Sequence, residues 1–328
     1  MKALRVHELG EPKDVLRLDE VAVPEPGPGQ VLVRVRAAGV NFPDALMCRG
    51  LYQEKPPLPF TPGVELCGEV AGLGDGVTGR TEGERVIGSP ALPAGAFAEY
   101  ALMDAGRVFP APPSLTDEEA SALFIGYQTG WFALHRRAGL RRGETVLVHA
   151  AAGGVGSAAV QLAKAAGARV IGVVGGAAKA GYARDLGADI VVDRHADDFV
   201  SVVKEATEGR GADVVYDPVG GDSFTRSTKC VAFEGRILVI GFASGTIPTP
   251  GLNHALIKNY SLVGLHWGLY NKRDPALVAR CHEELTALAE RGLVRPAVSE
   301  TLALEALPDG VQRLADGGSV GRLVGVPA

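Results

Sequence analysis

TVLVHAAAGGVGSAAVQLAKAAGARVIGVV, residues 145 to 174, passes from a buried apolar strand through a turn of small residues into an Ala-rich helix, and then into a second buried strand. That order is a βαβ unit. Gly153, Gly154 and Gly156 let the backbone approach a pyrophosphate and let the helix pack tightly on its sheet, while the helix start offers N–H groups and the positive end of its dipole. The expected contacting stretch is Ala152, Gly153, Gly154, Val155 and Gly156. Ala151 stands where the usual pattern opens with glycine, so the match is to A-x-G-x-x-G. Glycine also serves helix packing; the flanking strands and helix are what turn the loop into a dinucleotide site. After the second strand comes Val174-Gly175-Gly176-Ala177-Ala178-Lys179, with no carboxylate for a ribose 2′-hydroxyl and one cation for a 2′-phosphate. The expected coenzyme is therefore NADPH, with Gly175 and Lys179 among its contacts. The other reading of Lys179 is an ordinary solvated lysine on the first turn of a helix.

Outward from this unit, strand-like runs at 190–193, 213–217, 236–241 and 261–265 alternate with helical stretches at 155–166, 178–186, 197–208 and 222–231. Such alternation predicts a doubly wound parallel sheet, an α/β fold. The first third is different: short β signals at 3–6, 31–37, 64–71, 84–87 and 96–101 are punctuated by PEPGPG and GLGDGVTG, which reads as a mostly β domain. A helix near 275–291 and a β-like end at 321–326 follow the last alternating strand. The expected organisation is a first domain over 1–120, an inserted nucleotide domain over 121–262, and a return to the first domain over 263–328.

Composition narrows the function classes. The 328 residues are 46% hydrophobic and 22% charged, a globular composition, and the 44 glycines without a G-x-y period point to tight turns and close backbone approaches. A net charge of −5 with no long basic block argues against a nucleic-acid partner. The start, MKALRVHELG, carries no apolar signal core, and no long apolar run follows, so the expected location is the cytoplasm with no membrane partner. Cys48, Cys67, Cys230 and Cys281 are too scattered for a zinc ribbon or a disulfide framework.

Four segments together carry a family resemblance: GVNFPDALMCRGLY at 39–52, PFTPGVELCGEV at 59–70, HAAAGGVGSAAVQLAK at 149–164 and DVVYDPVGGD at 213–222. Over essentially its whole length the chain resembles the zinc-independent quinone oxidoreductase branch of the medium-chain dehydrogenase/reductase superfamily. The resemblance implies a GroES-like catalytic domain with a Rossmann domain inserted, NADPH in the cleft between them, and a homodimer. Zinc-dependent relatives carry Cys where this chain has Asn41 and a His-Glu pair where it has Val64-Glu65; Glu65 alone cannot hold the metal and is expected to be buried and paired. No metal is expected.

The resemblance places Asn41 and Tyr52 beside the nicotinamide. Tyr52 would donate a hydrogen bond or a proton to a substrate oxygen after hydride leaves the nicotinamide, or alternatively packs as an ordinary loop tyrosine. Asp44 also matches the family's catalytic pattern, and caps a helix start equally well. Leu46 stands where many relatives have an aromatic. Thr129, Gly241 and Phe242 match nicotinamide contacts, and Arg322 is expected to reach the phosphates. Asp193, where NADPH binders often have tyrosine, would repel a 2′-phosphate if it pointed inward.

The expected activity is hydride transfer from NADPH to a small quinone or related conjugated carbonyl. An enoyl-thioester or 2-alkenal reductase uses the same hydride delivery, and an NADPH-binding structural or sensor protein with little turnover is the reading from another class. RRAGLRRG at 136–143 reads as a helix end, CHEEL at 281–285 spreads its polar groups over different helix faces, and His149 reads as a satisfied core group.

Overall fold

The computed structural model describes residues 1–327 and divides the chain into two compact units, Met1–Ile125 with Arg295–Ala328 and Gly126–Val294. In chain order the strands are β1 (Lys2–Val6), β2 (Leu16–Glu20), β3 (Gln30–Gly39), β4 (Leu66–Leu73), β5 (Arg85–Gly88), β6 (Tyr100–Asp104), β7 (Val108–Pro110), β8 (Thr145–His149), β9 (Arg169–Val174), β10 (Ile190–Asp193), β11 (Ala212–Asp217), β12 (Val231–Val239), β13 (Ser261–Gly264), β14 (Val298–Ala303) and β15 (Arg322–Val326). The helices used below are α1 (Phe42–Cys48), α2 (Asp117–Ser121), α3 (Phe124–Trp131), α4 (Gly154–Ala165), α5 (Ala177–Asp185), α6 (Phe199–Ala206), α7 (Gly221–Ser227), α8 (Leu252–Lys258), α9 (Pro275–Glu290) and α10 (Leu307–Ala315).

The first unit is built on a seven-stranded sheet in the order β14-β15-β3-β4-β5-β7, with β6 also pairing β3. Its long central strand, QVLVRVRAAG, buries both faces over much of its length and anchors a core that includes Val33, Phe60, Leu66, Phe97 and Leu307. The last strand, β15, runs antiparallel to β3 with Val324 opposite Gly39. That register delivers Arg322, 281 positions along the chain from Asn41, to the end of β3.

The second unit has a six-stranded parallel sheet in the order β10-β9-β8-β11-β12-β13. Counted from β8 this is 3-2-1-4-5-6, the doubly wound dinucleotide arrangement. All five residues of TVLVH are buried, as a strand covered on both faces requires. Small residues bring helices close: a Cβ on Gly130 of α3 would lie 2.7 Å from Leu162 Cδ1 of α4, and one on Gly126 would lie 3.3 Å from the Gly154 carbonyl oxygen.

Three boundaries differ from expectation. The stretch expected to be helix to residue 231 stops at Ser227, and Val231 already begins β12, which bends at Glu234 (φ 56°). Residues 96–99 bridge irregularly, their N–H groups reaching Gly63, Pro62 and Lys2 carbonyls, so that strand begins only at Tyr100. The return to the first unit falls at Arg295 rather than 263. The intervening helices pack inside the second unit, where Trp267 Nε1 donates to Gln128 Oε1 (3.1 Å), Trp131 Nε1 donates to Glu284 Oε2 (2.9 Å), and the Phe132 and Tyr270 rings lie 4.2 Å apart.

Candidate functional site

In the first unit, β3 ends on Gly39 and the chain turns through Asn41 into α1, whose second position is Pro43, a residue pre-set for a helix start. Asp44 Oδ2 accepts from the Asn41 N–H (2.7 Å) and Oδ1 from the Gly63 N–H (2.9 Å). Asp44 thus takes the capping role and ties the helix start to the turn before Val64. It is fully buried, and burial, opposed by those two N–H donors, pushes its pKa up to about 7.

Asn41 Nδ2 donates to the Gly39 carbonyl (3.1 Å) and to Glu65 Oε1 (2.8 Å), while its Oδ1 accepts from Arg322 Nη1 (3.0 Å). Both amide hydrogens and the amide oxygen are engaged, so Asn41 holds the turn and has no donor left for a substrate or coenzyme. Arg322 Nη2 also pairs with Glu65 Oε1, and Glu65 Oε2 accepts from the Ile125 N–H in the first turn of α3 (2.7 Å). Glu65 is 0% and Arg322 3% exposed, which bears out the buried, paired role of Glu65 and corrects the expectation that Arg322 reaches phosphates. A guanidinium committed to a buried carboxylate is not offered to a coenzyme. The pair also dictates the end of β3: a Cβ on Gly39 would lie 2.4 Å from Glu65 Oε1.

This donor set does not fit zinc. Its carboxylate is occupied by a guanidinium, an amide and a backbone N–H, and among the described residues no three His, Cys, Asp or Glu side chains gather to hold a metal ion. Tyr52, on the loop after α1, is half-buried against the same apolar core. Burial, with the Glu54 and Asp44 carboxylates adding to it, raises its pKa, so the hydroxyl stays protonated at neutral pH.

In the second unit, loops collect at the carboxyl edge of the parallel sheet, where open α/β sheets bind their ligands. After β8 the chain turns at Ala150 (φ 49°), and Gly153 caps α4. Gly156 has no alternative, since a Cβ there would lie 2.1 Å from the Ala150 carbonyl oxygen. After β9 come Gly175 and Gly176 (φ 97°), with Lys179 in the first turn of α5; burial and the neighbouring Arg194 lower the Lys179 pKa. After β11, Asp217 Oδ1 accepts from the Val219 and Gly220 N–H groups (2.9 and 3.0 Å). After β12, Gly241 lies against Pro218, and Phe242 is 37% exposed. Ala152 through Gly156, Gly175, Lys179, Gly241 and Phe242 therefore share one edge, and Thr129 lies buried on α3, the helix packed against α4. The donor chemistry of this edge, an α4 start without intrahelical acceptors beside a lysine and no carboxylate after β9, fits a phosphorylated dinucleotide.

Asp193 does not take the repelling orientation considered from sequence. Its Oδ1 accepts from the Gly176 N–H (2.9 Å) and the His195 N–H (3.1 Å). Arg194 and His195, which the sequence reading left out, fold back over Gly175. An Arg directly after a strand end was a visible signal; the direction of its side chain was not. His149, fully buried, hydrogen-bonds through Nε2 with Ser227 Oγ (2.7 Å), and burial holds its pKa down to about 3, the satisfied core group expected.

Residues 27–113 match the alcohol dehydrogenase GroES-like domain family, and residues 154–283 match the zinc-binding dehydrogenase family. A quinone oxidoreductase-like protein 2 homolog from Nematostella vectensis is 38% identical over 325 residues, covering 98% of this chain and 88% of the relative. Among solved structures, a probable oxidoreductase from Mycobacterium abscessus has a TM-score of 0.90 at 39% identity, covering 100% of this chain and 99% of the other. Escherichia coli quinone oxidoreductase complexed with NADPH has a TM-score of 0.92 at 30% identity, covering 100% of both chains. The chain, with its GroES-like and Rossmann segments in the expected order, belongs to the quinone oxidoreductase branch of the medium-chain dehydrogenase/reductase superfamily.

Proposed function

We propose that this protein is a zinc-independent oxidoreductase that uses NADPH to reduce quinones or related conjugated carbonyls. The observation that carries this reading is the carboxyl edge of the parallel sheet, where a glycine loop opens α4 and a lysine rather than a carboxylate follows β9. The name of its Escherichia coli neighbour, a quinone oxidoreductase complexed with NADPH, supports the coenzyme and the acceptor class.

When bound, NADPH supplies a hydride from its nicotinamide. The chain's own residues bind and orient. The N–H groups at the start of α4, with Ala152 through Gly156, would hold the pyrophosphate; Gly175 and Lys179 would hold the 2′-phosphate end; Thr129, Gly241 and Phe242 would line the nicotinamide end. Tyr52, its hydroxyl kept protonated, would serve as the donor to the acceptor oxygen as charge develops there. Asn41 and Asp44 act as positioning residues, fixing α1 and so the loop that carries Tyr52.

The test is NADPH oxidation against a panel of quinones, enals, enones and enoyl-CoA. Turnover with quinones supports the reading; turnover confined to enoyl-CoA or alkenals moves the assignment to those reductases. Binding of NADPH without turnover on any member favours a structural or sensor role.

The homodimer belongs to the same proposal. Leu252, Leu256 and Ile257 of α8 are more than 70% exposed next to the open edge strand β13, an apolar strip that a second copy would cover. Light scattering should give twice the chain mass and Leu256→Glu should halve it; a monomeric wild type rejects the dimer. Four free, buried cysteines support a reducing compartment, the cytoplasm, and no helix among the described residues is long and apolar enough to cross a membrane. Fractionation of the source cells checks the location.

A further inference from the structure

We propose that Arg194 and His195 read the 2′-phosphate of the coenzyme, and that Asp193 is the positioning residue that aims them. The inference rests on the NADPH reading above and assigns its coenzyme specificity to two residues after β10. The pair sits at the turn after β10, one strand outward from the glycine loop's second strand, β9. Both side chains fold back over the carboxyl end of β9: a Cβ on Gly175 would lie 3.1 Å from His195 Nε2 and 3.2 Å from Arg194 Nε. That is the place where this class of sheet meets the adenosine ribose, and where an acid would select the bare 2′-hydroxyl. Here the place holds an arginine fork and an imidazole, with Lys179 on the facing helix start.

Asp193 is the carboxylate whose charge opposes a phosphate here, and its Oδ1 is turned onto backbone N–H groups. Its Oδ1 bridges the Gly176 N–H and the His195 N–H, so the acid clamps the β9–α5 turn to the β10 turn. Those N–H groups, with nearby His195 and Arg194, hold its pKa below the usual carboxylate range, so it remains ionised at neutral pH. The Arg194 N–H in turn donates to the Val174 carbonyl (2.9 Å), which fixes the backbone that carries the guanidinium. Arg194 and His195 are exposed and form no ion pair among the described residues, so their donors face solvent rather than a protein acid. A fork of guanidinium N–H groups suits a phosphate dianion better than any neutral hydroxyl.

The probes are 2′,5′-ADP and 5′-ADP, titrated calorimetrically without any turnover. On the wild type, 2′,5′-ADP should bind at least tenfold more tightly. Arg194→Ala should lose roughly tenfold to a hundredfold of the 2′,5′-ADP affinity and leave 5′-ADP unchanged, and His195→Ala should show a smaller loss of the same kind. Asp193→Ala should lower the discrimination between the two probes, and Asp193→Asn, whose amide oxygen can still bridge the two N–H groups, should restore most of it. A purely structural role would instead weaken both probes together. Equal losses for both probes, or no loss, in Arg194→Ala overturn the assignment. Equal binding of the two probes by the wild type overturns it while leaving a dinucleotide site in place, and binding of neither overturns the NADPH reading as well. Unchanged far-ultraviolet circular dichroism confirms that each variant is folded.

Discussion

The turn around Asn41 in the first unit and the sheet edge after β9 in the second are both built from charged groups and glycines, yet they do opposite things with them. At the first, Glu65, Arg322, Asn41 and Asp44 are at most 4% exposed, and their principal donors and acceptors meet inside the protein. At the second, a carboxylate is turned onto backbone N–H groups while Arg194 and His195 stay exposed. The first network, in which only Arg322 Nε lacks a partner among the groups named, is buried and fixes geometry, whereas exposed donors cost the fold little and are open to a ligand.

The sharpest way to break this contrast is to open the closed network. Arg322→Met leaves Glu65 buried without its counter-ion, a change that typically costs about 3 to 5 kcal/mol, and should lower the thermal midpoint markedly. A midpoint within a degree of the wild type would mean that the network is not closed. The next effect belongs to Tyr52. Tyr52→Phe keeps the ring in its apolar seat but removes the donor, so kcat/KM with an enone should fall by about 10²-fold or more and with a quinone by much less, at unchanged NADPH affinity. Values of kcat/KM unchanged from the wild type for both acceptor types would remove Tyr52 from the chemistry.

At the open edge, Lys179→Ala should weaken NADPH by roughly tenfold to a hundredfold and leave NADH nearly untouched, read by coenzyme fluorescence titration. Parallel losses would assign the lysine to the fold rather than to the phosphate. The smallest expected effect is none at all: prolonged chelation should leave turnover and the thermal midpoint unchanged, because the carboxylate nearest the family's metal position is already paired with Arg322. Stoichiometric zinc with chelator-sensitive activity would contradict the reading of Asn41 and Glu65.

Local pattern was enough for a large part of this protein. The period and length of apolar runs placed β9 and β10 at their observed residues and α4 within one residue, since a parallel strand covered on both faces must be apolar almost throughout. The spacing of Gly153, Gly154 and Gly156 pointed to the edge proposed for the phosphates, and Asn41 and Val64 stand where zinc-dependent relatives carry Cys and His. Tertiary structure decided what depends on pairing across hundreds of positions. Arg322 meets Asn41 and Glu65 only because β15 adds to β3 in one register, and residues 263–294 remain in the second unit because Trp267 and Glu284 find partners there. Asp193 could face a ligand or a backbone turn with equal right until the Gly176 N–H was in place. Spacing along a chain sets which groups share a strand or a helix face; which charge meets which counter-charge is set by long-range packing, and at these sites that choice separates a buried network from exposed donors.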